Sequence, residues 1–400
     1  MSNKFTSHFS ADDVALVLID FQPQMFVGVD SHDRNARYPT CTRNDGRSRC
    51  NKRRAAAVWM AATLLWAGLG SATESDHEAP PGQAGRPYAN MPDIAPIGVR
   101  VDKYYDIPEQ AKGPEIDPAK GYRVEELGKG LYMITDGFFQ SVFMVYETGI
   151  VLIDAPPNYA AKIKEAIAGV SDKPITHVIY THAHADHIAG VTSVITGHPT
   201  IIAQEETLRL LKRAADPKRP LPTMTFKDRY TLKVGSQVLE LSYPGNGHEP
   251  GNTMIYAPAQ KTLVFVDVIF PGYMPFRRFA VAQDIPGNFA QVKELDSMPW
   301  EKLVAGHVTR IGTHADVKLQ AEFDDDIKTA ATQALGSTKF VEGLNQADLG
   351  NKWALINDYI NRVVVQCVNA MGPKWKTRLA GYDAFIWDQC YAMESSVRID

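Results

Sequence analysis

The chain has 400 residues, 44% of them hydrophobic, with 42 Lys and Arg against 46 Asp and Glu and a formal net charge of −4. That length can bury a large core and exceeds one average domain, and so even a charge balance excludes a strongly basic nucleic-acid surface. Cysteine is sparse at four residues, none beside the histidine-rich segment described below, so thiolate metal ligation is not expected.

Residues 1–50 form an atypical N-terminal segment. Within it Val14-Ala15-Leu16-Val17-Leu18-Ile19-Asp20-Phe21-Gln22 resembles the opening strand of isochorismatase-like cysteine hydrolases, where the Asp matching Asp20 is catalytic. The Lys and Cys partners of that family lie much further on, and no such domain fits before residue 55. The segment therefore reads as a fused fragment. A basic run from Arg43 to Arg54 leads into Ala55 to Ala72, which carries no charge, and Gly70-Ser71-Ala72 offers small residues for a signal peptidase. Residues 51–72 thus have the marks of a secretory signal at an unusual position, which predicts an exported, periplasmic or extracellular protein. At 18 residues the stretch also meets the short limit for a membrane anchor, and an unused signal would leave the chain cytoplasmic. Residues 73–120, rich in Pro, Gly, Asp and Glu, read as a linker.

The next domain, 121–315, starts with a predicted hairpin, Gln140 to Tyr146 and Gly149 to Asp154. The β-branched and aromatic run His177-Val178-Ile179-Tyr180 reads as a buried strand. Directly after it come His182, His184, Asp186 and His187, four metal-capable side chains at a strand's C-terminal mouth, where α/β sheets place their chemistry. In an extended chain His182 and His184 point the same way, and Asp186 and His187 follow as the backbone turns. A catalytic metal keeps a position open for water and draws ligands from elsewhere. His248 in a Gly/Pro-rich loop, Asp267 after the strand-like Thr262 to Val266, and His307 after the apolar Leu303 to Gly306 supply them. His177, His198 and His314 read as ordinary polar residues.

Over residues 122–315 this pattern, HxHxDH followed by a distant His, an Asp and a final His, resembles the metallo-β-lactamase superfamily. The resemblance implies an α/β fold, the four-layer αβ/βα sandwich of that type. It implies that His182, His184 and His248 hold one metal ion, that Asp186, His187 and His307 hold a second, and that Asp267 bridges them; Asp154 would be structural. The implied cofactor is two Zn2+, with Fe or Mn as alternatives. A zinc pair lowers the pKa of a shared water from ~16 to about 7, so the chain is expected to be a dinuclear zinc-dependent hydrolase using a metal-bound hydroxide, with Asp186 orienting the water and passing its proton on. By the same resemblance, an Asp at the bridging position leans toward lactonase-like or thioesterase-like members, and an ester or lactone is the expected small-molecule substrate. β-Lactamase and thioesterase activity are alternatives on the same scaffold, and a mononuclear iron dioxygenase is an alternative of another class.

Downstream, Phe270 to Phe279 is aromatic, basic and broken by prolines, hence a loop near the metals. Tyr273, Phe276 and Phe279 are candidates to wall an apolar pocket, and Arg277 and Arg278 to meet a substrate carboxylate; packing under a loop explains the same residues equally well. Residues 316–400 form a helical extension, with helices predicted over Ala315 to Leu335, Lys352 to Met371 and Tyr382 to Met393. Asp324-Asp325-Asp326 reads as a solvated face rather than a metal site. The extension is expected to pack on the metal domain or to form a homodimer face, and in an exported protein Cys367 and Cys390 are candidates for a disulfide.

Overall fold

The computed structural model describes residues 41–44, 47–50, 104–340 and 350–400. The chain divides into two compact units, residues 1–78 and 79–400. The described part of the first unit is an antiparallel pair, β1 (Cys41–Asn44) and β2 (Arg47–Cys50). The run at 14–22 with Asp20 and the uncharged stretch 55–72 lie outside the described residues. Among the described residues no helix is long and apolar enough to cross a membrane.

The second unit is built on two sheets. One has seven strands in the order β3 (Arg123–Gly128), β4 (Leu131–Thr135), β5 (Gln140–Val145), β6 (Ile150–Ile153), β7 (Ile175–Ile179), β8 (Thr200–Gln204) and β9 (Met224–Phe226). Antiparallel pairing up to β6 gives way to parallel pairing from β6 to β9, with α1 (Ala160–Val170) as the first crossover. The other sheet runs β10 (Arg229–Val234), β11 (Gln237–Ser242), β12 (Met254–Ala257), β13 (Thr262–Val264) and β14 (Lys302–Val304). Only its last pair is parallel.

Side chains alternate across a strand, and here both faces find apolar partners. Val142, Met144, Val151 and Ile153 meet Leu232, Leu239, Ile255 and Val264 between the sheets. Phe143, Ile150 and Leu152 point the other way, onto Ile163 and Ile167 of α1. That is why these strands read as continuous apolar runs rather than alternating ones. On the outer face of the second sheet, Met254, Leu263 and Leu303 pack with Val292 and Leu295 of α5 (Ile285–Leu295) and Val317 of α6 (His314–Ser337). Helix, sheet, sheet, helix: the result is the four-layer sandwich.

The helical extension continues α6 with α7 (Lys352–Trp375) and α8 (Tyr382–Ile399), which share a core including Phe323, Val364, Trp375, Ile386 and Met393. A capping box of Thr313 and Asp316 starts α6, and the Asn351 side chain caps α7. Past Gly372 and Pro373, where helix propensity is poor, α7 runs on to the buried Trp375, whose ring lies edge-on to Phe323 at 5.2 Å. Cys367 of α7 and Cys390 of α8 are joined as a disulfide, with Cα atoms 5.9 Å apart. The reading of Asp324–Asp326 as one solvated face is corrected. Asp325 and Asp326 pair with Lys293 and Lys374, but Asp324 is fully buried, and burial holds its carboxyl well above the usual range. A helix turns about 100° per residue, so three successive side chains cannot share one exposed face on a helix packed from two sides.

Residues 104–120, read as the end of a linker, are strapped to this unit. Tyr105 N–H donates to the Asp383 carboxylate (2.6 Å), Arg310 to the Gln110 carbonyl (2.8 Å) and Arg123 to the Pro114 carbonyl (2.6 Å).

Candidate metal centre

Three strand ends and one loop bring the seven predicted ligands together. β7 is followed by a bend that carries His182, then by His184 in extended backbone and a single helical turn, α2 (Ala185–Ile188), that carries Asp186 and His187. His248 lies in the loop between β11 and β12, Asp267 three residues past β13, and His307 three residues past β14. Local backbone choices make this convergence fit. At Gly306 (φ 85°) a Cβ would sit 2.4 Å from Val266 Cγ1, so glycine is what lets the chain before His307 come so close. Asp154 and Asp267 take left-handed conformations, φ 56° and 65°, a strain of about 1–3 kcal/mol each that the surroundings must over-determine.

His182, His184, His248 and Asp267 form one group of converging ligand atoms, and Asp186, His187 and His307 form another. Asp267 stands between them. Its Oδ2 lies 3.4, 3.3 and 3.1 Å from Nε2 of His182, His187 and His248, and its Oδ1 lies 3.0 Å from Nε2 of His307. Imidazole nitrogens also meet each other, His187 Nε2 to His307 Nε2 at 3.0 Å and His248 Nε2 to His184 Nδ1 at 3.1 Å. Asp186 is half exposed at the mouth, 3.7 Å from His187 Nε2.

The opposite ring nitrogens decide which lone pairs face inward. Thr181 donates its one hydroxyl proton to Asp154 Oδ2 (2.6 Å), so the hydroxyl accepts from His182 Nδ1 (3.0 Å) and leaves His182 Nε2 bare. His307 Nδ1 faces the Phe138 carbonyl at 3.0 Å, which only accepts, so Nε2 is again the bare nitrogen. His184 is turned the other way: Nε2 meets Glu249 Oε1 at 3.3 Å, and Nδ1 points into the group. Three rings thus present lone pairs to one another and to a carboxylate. Buried His182 Nε2 makes no hydrogen bond at all, which is costly unless a cation meets it. An all-imidazole and carboxylate donor set fits a divalent ion such as zinc.

Electrostatics agree. Burial pushes His182 well below its ordinary pKa, and burial with His248 nearby lowers His184, so both rings are neutral, as ligands must be. Burial acts to raise Asp267, but His187, His307 and His248 outweigh it and hold the carboxyl well below its usual range. His187 shows the converse: burial lowers it, yet Asp267, Asp186 and Asp154 lift it to about 9.

The loop residues fall differently. Phe276 is exposed and lies edge-on to Phe385 (5.4 Å), and Arg277 Nε is 3.3 Å from Asp388. Tyr273 is half-buried, its backbone bridged to Ala380, and Arg278 is exposed. Phe279, a pocket candidate, is instead buried against Phe289 (5.1 Å), because the chain here winds left-handed and turns the ring inward. His314, read as an ordinary residue, stacks on Trp300 at 3.8 Å. Sequence reading missed Thr181 and Glu249. Glu249 also accepts from Ala183 N–H (2.8 Å), between the two cluster histidines, and its place next to His248 was the available signal.

The family model described as the metallo-beta-lactamase superfamily matches residues 135–314. The chain is 28% identical over 232 residues to the 2,4-dinitroanisole O-demethylase subunit alpha of Nocardioides sp. (strain JS1661), covering 56% of this chain and 68% of that one. It is 31% identical over 156 residues to the metallo-beta-lactamase type 2 of Bacillus sp. (strain 170), covering 35% of this chain and little more than half, 57%, of that one. Among solved structures, a metallo-beta-lactamase from Pontibacter korlensis aligns at 20% identity and a TM-score of 0.45 over 51% of this chain and 99% of that one. The family model thus marks residues 135–314 as a metallo-beta-lactamase domain.

Proposed function

We propose that the chain is a dinuclear metal-dependent hydrolase acting on a small carboxylic ester or lactone. The observation that carries this reading is the set of inward lone pairs fixed by Thr181, Glu249 and the Phe138 carbonyl and gathered on Asp267. His182, His184 and His248 would hold one zinc ion and Asp186, His187 and His307 the other, with Asp267 shared. Bound there, the ions supply hydroxide at neutral pH and polarise a substrate carbonyl.

The rest falls to the chain's own groups. Asp186, half exposed at the mouth, orients the attacking water and takes its proton for transfer to the leaving oxygen. Phe139 and Phe270, with ring centres 4.7 and 5.9 Å from that of His307, keep bulk water from that side. The exposed Phe276 and Arg278, with Tyr273 and Arg277, are the proposed substrate contacts. The demethylase relative favours a second reading, cleavage of an aryl methyl ether by the same site.

The test is turnover by the zinc-loaded protein of a panel containing an ester, a lactone, a thioester, a β-lactam and 2,4-dinitroanisole. We expect the ester or lactone to be preferred, and Asp186→Asn to lower kcat by about 100-fold or more. Preference for the lactam or the ether would overturn the substrate class, and an undiminished Asp186→Asn would remove the role given to Asp186.

A further inference from the structure

Between Asp267 and α5 the chain makes an unusual turn. Arg278, Phe279, Ala280 and Val281 are all left-handed, with φ between 53° and 58°, and none of them is glycine. L-residues avoid this conformation, and it persists only where the surroundings impose it. The imposing group is Gln389 of α8, which is fully buried. Its Oε1 accepts from Phe279 N–H (2.6 Å), and its Nε2 donates to the carbonyls of Pro275 (2.6 Å) and Phe276 (3.1 Å). One side chain satisfies three backbone groups and clamps the turn at its entry and its middle.

The turn leads straight to a metal ligand. Gln283 N–H donates to the carbonyl of His248 (3.0 Å) and Asp284 N–H to that of Gly247 (2.9 Å). The main chain of His248 is therefore held by the two residues that leave the clamped segment. The other ligand group is held elsewhere: His307 by the Phe138 carbonyl, and His187 through Ala155 N–H donating to its carbonyl (2.8 Å). We propose that Gln389 is a positioning residue for the His182, His184 and His248 half of the site alone, so that the helical extension sets the affinity of one of the two metals. The proposal rests on the dinuclear reading above.

Gln389→Met keeps the side-chain length and removes all three hydrogen bonds. Zinc titration against a chromophoric chelator is expected to show one of two binding steps weakened by about 10- to 100-fold, the range for partners that orient ligands, with the other step unchanged. Adding Ala280→Gly, which adopts positive φ without steric cost, is expected to restore part of the loss. If the single variant does not fold, the comparison is made between the double variant and Ala280→Gly alone. Two unchanged steps, an equal loss at both steps with a parallel fall in melting temperature, or no recovery with glycine would each overturn the proposal. A single binding step in the unmutated chain would instead remove the dinuclear reading, and the proposal with it.

Discussion

The Thr181 hydroxyl has one proton, and giving it to Asp154 fixes which nitrogen of His182 is left for a metal. Glu249 does the same for His184. Glu249→Gln keeps the size but weakens the acceptor, and it is expected to lower zinc affinity about 10- to 100-fold, measured by chelator competition, while leaving the fold intact by circular dichroism. The convergence of the seven candidate ligands was legible because their spacing along the chain is itself the signal. Thr181 was not, because its role depends on a carboxylate 27 residues away. Asp324 was misread because an acidic run says nothing about which of its members a neighbouring helix covers. Its pKa is raised well above 3.8 by burial, so the folded state binds the proton more tightly than the unfolded chain. The stability this gives is complete below pH 3.8 and is lost as pH rises toward the folded pKa. Asp324→Asn carries no such loss, and thermal unfolding is expected to show it more stable than the parent at pH 7 with the advantage gone near pH 3. An Asn variant that is less stable at pH 7 would mean that the buried carboxylate has a charged or metal partner.

At the scale of elements, β5, β6, β7, β13 and β14 were legible from apolar runs, and the three late helices from their periodicity. The turn at 278–281 was not. Local propensity argues against four left-handed residues without glycine, and the group that enforces them lies 110 residues further along the chain. Nor could the sequence tell what α7 and α8 touch. The link between them can be tested directly. Replacing Cys367 and Cys390 by serine opens a cross-link spanning 23 residues, which is expected to cost about 3 kcal/mol in the chain-entropy model. Urea unfolding of the variant against the oxidised parent measures it; an unchanged midpoint would mean that packing of Trp375, Ile386 and Met393 alone fixes the two helices.

For the whole molecule, the domain and the extension behave as one construction around the metal centre. The segment 104–120 ties Asp383 of α8 to the chain just after His307, through Tyr105 and Gln110. Gln389 ties the same helix to the chain that holds His248. Composition argued against a basic nucleic-acid surface but did not distinguish a hydrolase from an oxygenase, since both use imidazole and carboxylate ligands. The most direct test of the central claim is metal content per chain, measured by mass spectrometry on protein purified without added metal, together with oxygen uptake during turnover. The account predicts about two zinc ions per chain, one for each ligand group, and no oxygen uptake. A single iron per chain with oxygen consumed in step with substrate would contradict it.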